Sequence, residues 1–188
     1  MEDKKIKYYK LCEEAKEYGE EFFKELCVSC SNPAIIKDDI LPLVFTDIKD
    51  LQVYGRLTTY NKQASILIGI DDRRTKLVLE AKRTIRHEII HYFLWLQDLP
   101  YEDDSLLFWC ISYIYDGGAY SKLKKSDKEK YNLFKLEYDA IKEEYNNIHK
   151  SFIEKNVFEI VYDMFSGIDF ETARRKAREN LDDLKKYF

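Results

Sequence analysis

Residues 86–96, Arg-His-Glu-Ile-Ile-His-Tyr-Phe-Leu-Trp-Leu, place two histidines four positions apart in a run that is otherwise almost wholly apolar. Side chains four apart on a helix lie one above the other on one face, so His87 and His91 can aim both imidazoles at a single point. Ile85, Ile89, Ile90, Phe93 and Leu94 make the other faces apolar and predict a buried helix. Burying His, Glu and His together without a strong partner is expensive. A divalent cation supplies that partner. The H-E-x-x-H spacing therefore predicts a metal held by His87 and His91, with Glu88 beside it as a base that can take a proton from a water molecule. The plainer alternative, two satisfied histidines on a half-buried helix with Glu88 in a surface ion pair, fits these apolar flanks poorly.

A catalytic zinc site takes a third protein ligand and keeps one position open. The third histidine, His149, lies far along a charged segment and reads as a solvated surface side chain. Carboxylates come sooner, at Glu102, Asp103 and Asp104, just after the helix-breaking Leu99-Pro100. An oxygen ligand there completes a His-His-carboxylate set. Asp103, Asp104 and Ser105 also precede a second apolar run as N-cap candidates, and the two adjacent aspartates can divide the two tasks.

Around this centre the pattern predicts a first helix over 4–26, ended by turn residues at Ser29–Pro33. Short β-rich runs follow at 41–45, 53–60 and 64–70, the last two joined by a hairpin turn at Asn61-Lys62-Gln63. The histidine-bearing helix is expected over 72–97 and a further one over 106–115, stopped by Gly117-Gly118. Beyond a lysine-rich stretch at 121–130, one or two amphipathic helices run to Phe165, and Asp169 caps a last helix. This gives an α+β protein with a small three-stranded antiparallel or mixed sheet, an organised unit over 1–118 and a helical C-terminal extension over 119–188.

A chain of 188 residues is long enough to bury a real core. Its net charge of −4 argues against a global nucleic-acid-binding field. The lysines at 122, 124, 125, 128 and 130 and the group Arg174, Arg175, Lys176 and Arg178 are interrupted or flanked by acids and read as solvated helix faces. No apolar run approaches the roughly 18 residues that span a membrane, and the charged N-terminus does not resemble a signal peptide. A soluble, cytoplasmic protein is expected. Cys27 and Cys30 form a lone Cys-x-x-Cys, and the four cysteines are expected to be partly buried thiols in a reducing compartment.

The run Gly-Arg-Leu-Thr-Thr-Tyr at 55–60, the β-rich stretch after it, the H-E-x-x-H-Tyr helix and Tyr-Glu-Asp-Asp-Ser-Leu-Leu-Phe at 101–108 together resemble the SprT-like (Spartan-type) metallopeptidase domain. The likeness covers roughly residues 1–118 and is most specific over 86–108. It implies a zincin-like core with an N-terminal helix, a small sheet, the H-E-x-x-H helix and a third-ligand helix. It also implies Zn2+ held by His87, His91 and Asp103, and a protein or peptide substrate. Asp103 stands where the family usually has a third histidine, with Asp104 one register off, and the family's frequent C-terminal zinc ribbon is missing. On this reading Glu88 is the general base of peptide hydrolysis, and the family's action on DNA-bound proteins suggests DNA-linked proteolysis, which the sequence itself supports only weakly. Two other readings stay open. One is an immunity-type gluzincin using a later acid such as Asp116. The other is a metal-stabilised binding module with weak or no turnover.

Overall fold

A computed structural model describes residues 2–29, 41–50, 54–118 and 123–187. The expected turn after Ser29, Cys30, Val53 at the start of the second β-run, and residues 121 and 122 of the lysine-rich stretch lie outside the described residues. Helix α1 spans Glu2–Ser29. Strands β1 (Leu43–Asp47), β2 (Gly55–Tyr60) and β3 (Gln63–Ile70) follow, and then helices α2 (Leu79–Leu96), α3 (Leu106–Ile114), α4 (Lys128–Glu144), α5 (Lys150–Phe165) and α6 (Phe170–Lys185). The class is α+β, with six helices and one three-stranded mixed sheet among the described residues.

The sheet order is β1-β3-β2, with β1 parallel and β2 antiparallel to β3. The β-branched β3 is central for a physical reason. Ile66, Ile68 and Ile70 are buried under α2, while the alternation of half-buried and exposed residues in β2 marks a strand with one wet face. The β2–β3 connection is a two-residue turn at Asn61-Lys62, both with positive φ, which is the twist a tight hairpin requires.

Helix α2 starts seven residues later than the expected Asp72. The segment before it is a turn held by Asp71, whose carboxylate accepts from the Arg73 backbone N–H at 3.0 Å and from Arg73 Nε at 2.8 Å. Those bonds pull the Asp71 carboxyl down to about 2. The expected caps divide as the chemistry allows. Ser105, rather than either aspartate, accepts from Phe108 N at the start of α3, and Asp169 accepts from Thr172 N at the start of α6.

The C-terminal helices pack behind α2 and α3 within the same buried apolar cluster as α1 and the sheet. Phe158 of α5 meets Phe93 of α2 edge-on at 6.1 Å. Tyr162 donates to Gln97 Oε1 at 3.1 Å, and Lys150 pairs with Glu25 of α1. Three of the basic residues of α6 are spent on helix pairing, with Arg174 and Arg178 on the buried Glu137 and Lys176 on Asp163. No helix among the described residues is long and apolar enough to cross a membrane. Cys12 and Cys110 are free thiols, and burial pushes that of Cys110 far up.

α5 thus reaches α2 chiefly through the contact of Phe158 with Phe93. Phe158→Ala is expected to destabilise the protein by about 3–5 kcal/mol, the usual cost of emptying a buried aromatic site, measured as a lowered midpoint in urea unfolding.

Candidate metal centre

His87 and His91 sit one turn apart on the buried stretch of α2, each side chain 9% exposed. Their Nε2 atoms are 3.1 Å apart. Asp103 Oδ1 lies 3.3 Å from His87 Nε2 and 3.2 Å from His91 Nε2, closing a nearly equilateral triangle. A tetrahedral ion with ligand bonds of about 2.0–2.1 Å holds its donors roughly 3.3 Å apart. The triangle has the edges of such a ligand set.

The opposite ring nitrogens explain why both Nε2 atoms can serve. His87 Nδ1 lies 2.8 Å from the Gly118 carbonyl, and His91 Nδ1 contacts the Tyr101 carbonyl. A carbonyl only accepts, so each Nδ1 carries the proton and a neutral ring turns its Nε2 lone pair inward. Phe108 fixes the rings from behind, stacked on His91 at 4.0 Å and edge-on to His87 at 4.9 Å. Two lone pairs and a carboxylate oxygen then converge, a set that could hold a metal ion. The His87 and His91 rings beside it hold the Asp103 carboxyl far below the carboxylate range. Burial pushes the His87 imidazole down, but Asp103, the Gly118 carbonyl and the Glu88 charge outweigh it and hold it above its ordinary value.

The loop after α2 decides which acid arrives. Ser105 N donates to the Glu102 carbonyl and Ser105 Oγ to the Pro100 carbonyl, which winds 100–105 into a tight turn. The Trp109 indole N–H donates to the Asp103 carbonyl at 2.7 Å and pins that residue over the histidines. The neighbouring Asp104 points away to Lys124, 3.1 Å distant. Of the alternatives raised by the sequence, Asp116 is not brought to the histidines. It is bound by Arg83 and Arg86 of α2, at 3.1 and 2.8 Å. His149 is exposed and caps α5 by accepting from Ser151 N. His87, His91 and Asp103 are the group of metal-ligating type found among the described residues.

Glu88 is buried beside this triangle, on the β2 side of α2. Burial raises its pKa, opposed by His87, His91 and a hydrogen bond from the Leu57 backbone N–H. The sequence reading missed the backbone contributors. Gly117-Gly118 read only as a helix stop, yet Gly118, at positive φ, turns its carbonyl back to His87 and to Ser112 Oγ. Asp116 and its two arginines hold the loop that carries this carbonyl. No single-residue signal marks a carbonyl acceptor, although a Gly-Gly pair just beyond a short helix was the available hint.

No protein-family model matches this chain, nor does any curated protein or solved structure.

Asp103→Ala is expected to abolish stoichiometric metal binding and Asp104→Ala to leave it intact, read by elemental analysis after dialysis. The opposite pattern would move the ligand by one residue. Asp116→Ala, which frees the loop orienting His87, should weaken metal affinity about tenfold, at the lower end of losses at such supporting residues, measured by competition with a chromogenic chelator.

Proposed function

We propose that this chain is a zinc-dependent metallopeptidase of the H-E-x-x-H class with a zincin-like core, as its resemblance to the SprT-like domain implies. The observation that carries this reading is the convergence of His87, His91 and Asp103 on one point, with the buried Glu88 alongside. His87, His91 and Asp103 would hold the ion. When bound, zinc supplies a Lewis acid that polarises a water and a peptide carbonyl.

The chain's own residues do the rest. Glu88 takes a proton from the attacking water and passes it to the leaving amine, acting as base and then as acid. Its burial, which favours the neutral form, brings it nearer the pH at which both roles are efficient. Asp103 brings more negative charge than a third histidine would, so the water is expected to be less acidic, with slower turnover or a higher pH optimum.

Substrate binding follows from the sheet order. β2 is an outer strand. The Gly69 N–H donates to the Tyr54 carbonyl, so the antiparallel alternation turns the main-chain groups of Arg56 and Thr58 toward β3 and those of Gly55, Leu57 and Thr59 outward. An extended peptide laid along this edge would gain main-chain pairing with little sequence selectivity. A DNA-bound substrate, as the family resemblance implies, draws no support from the basic residues of α6, of which Arg174, Lys176 and Arg178 are engaged by acids.

Purified protein is expected to contain about one zinc per chain, the number a single three-ligand site accommodates, and to cleave an unfolded protein substrate. Glu88→Gln should keep the metal and lose at least about 100-fold in kcat, the contribution of a positioned acid–base group. Zinc-loaded wild type that cleaves nothing, with or without single-stranded DNA, would overturn the peptidase reading in favour of a metal-stabilised binding module.

A further inference from the structure

Gly55 stands in β2 where a side chain has no room. A Cβ added there would lie 2.8 Å from Glu88 Cγ, 2.9 Å from Glu88 Oε1 and 2.6 Å from Thr84 Cγ2. All three distances are shorter than real Cβ contacts tolerate. Conformation does not explain the glycine: Gly55 sits in a regular ladder opposite Ile68, and the positive-φ glycines among the described residues are Gly118 and Gly167. Close approach is the remaining physical reason for a glycine inside a strand.

What approaches is Glu88. Its side chain lies against the β2 backbone at Gly55, and the nearby Leu57 N–H, which faces away from β3, is the backbone donor that acts on its carboxyl. A glutamate has three side-chain torsions, and a buried one is held only by what touches it. Here one strand supplies both a gap at Gly55 that admits the side chain and, two residues on, a backbone donor near its carboxyl.

We propose that Gly55 is a positioning residue for Glu88, letting the carboxylate lie along β2 within reach of the Leu57 N–H and of the point on which His87, His91 and Asp103 converge. The proposal rests on the peptidase reading for its catalytic consequence, but the Gly55–Glu88–Leu57 contact itself does not depend on turnover. It also makes β2 do two jobs. The strand expected to pair with substrate is the one that sets the base, so a peptide laid on this edge runs directly past the carboxylate.

The test compares wild type, Gly55→Ala, Glu88→Ala and the double variant Gly55→Ala/Thr84→Ser, all in the full chain. Thr84→Ser removes the Cγ2 atom that an alanine would strike and keeps the hydroxyl that donates to the Glu80 carbonyl. The first readout is amide hydrogen exchange in β2. In wild type the Leu57 amide should be protected, and Gly55→Ala and Glu88→Ala should each speed its exchange about tenfold or more as a local opening. The Arg56 and Thr58 amides, bonded to β3, should stay protected in all four proteins. The second readout is kinetic. Gly55→Ala should keep its metal, lose up to about 100-fold in kcat, the scale of an ångström-sized misplacement, and leave KM little changed. The double variant should fold as wild type does and still show both effects.

Unchanged Leu57 exchange in Gly55→Ala would overturn the proposal. So would full recovery of kcat in the double variant, because the fault would then lie in strand–helix crowding at Thr84. If Gly55→Ala alone does not fold, the double variant carries both readouts. A wild type that cleaves nothing sinks the peptidase reading instead, and the Leu57 amide then decides the contact by itself.

Discussion

Three electron-pair donors held within 3.1–3.3 Å of one another are the constraint on which this structure turns. The carbonyls of Gly118 and Tyr101 take the Nδ1 protons of His87 and His91, so both rings face inward as acceptors beside a carboxylate. Such a cluster is repulsive unless positive charge stands at its centre. The surroundings make sense as devices for holding it together. α2 supplies the two rings, Phe108 stacks behind them, and Trp109 pins the chain at Asp103. Arg83 and Arg86 grip the loop that brings back the Gly118 carbonyl through Asp116. Those ion pairs are half exposed and contribute little stability of their own. Their value lies in placing a backbone acceptor.

The other side of the site is built from a strand. Among the described residues the sheet buries the strand richest in isoleucine and leaves β2 as an outer strand beside Glu88. On the proposed reading of Glu88 as the base, peptide binding and proton transfer share this one element. The C-terminal helices stand on the far side of α2, joined to it through Phe93–Phe158 and Tyr162–Gln97. Their acids and bases are largely occupied with one another.

How far the site could be read in advance depended on the range of the interactions involved. His87, Glu88 and His91 are set by one helical turn, and the apolar flank that buries them is visible as a 3.6-residue pattern. The hairpin at Asn61-Lys62 and the cap at Asp169 were legible for the same reason, since each acts within a few residues. The start of α2 was not, because Asp71 and Arg73 close a turn that competes with the helix. Cap assignment before α3 left Asp103, Asp104 and Ser105 all eligible, and the hydroxyl of Ser105 took the role.

The sequence by itself determined that two imidazoles would share one buried helical face with Glu88 next to the first of them, because helix periodicity and hydrophobic burial are local and cumulative. Only the tertiary structure decided that Asp103 turns inward while Asp104 turns out to Lys124, that Asp116 serves two arginines, and that Gly55 lies against Glu88. Those outcomes depend on contacts between residues up to 33 positions apart, where the path of the backbone, not the spacing of residue types, sets which atoms meet.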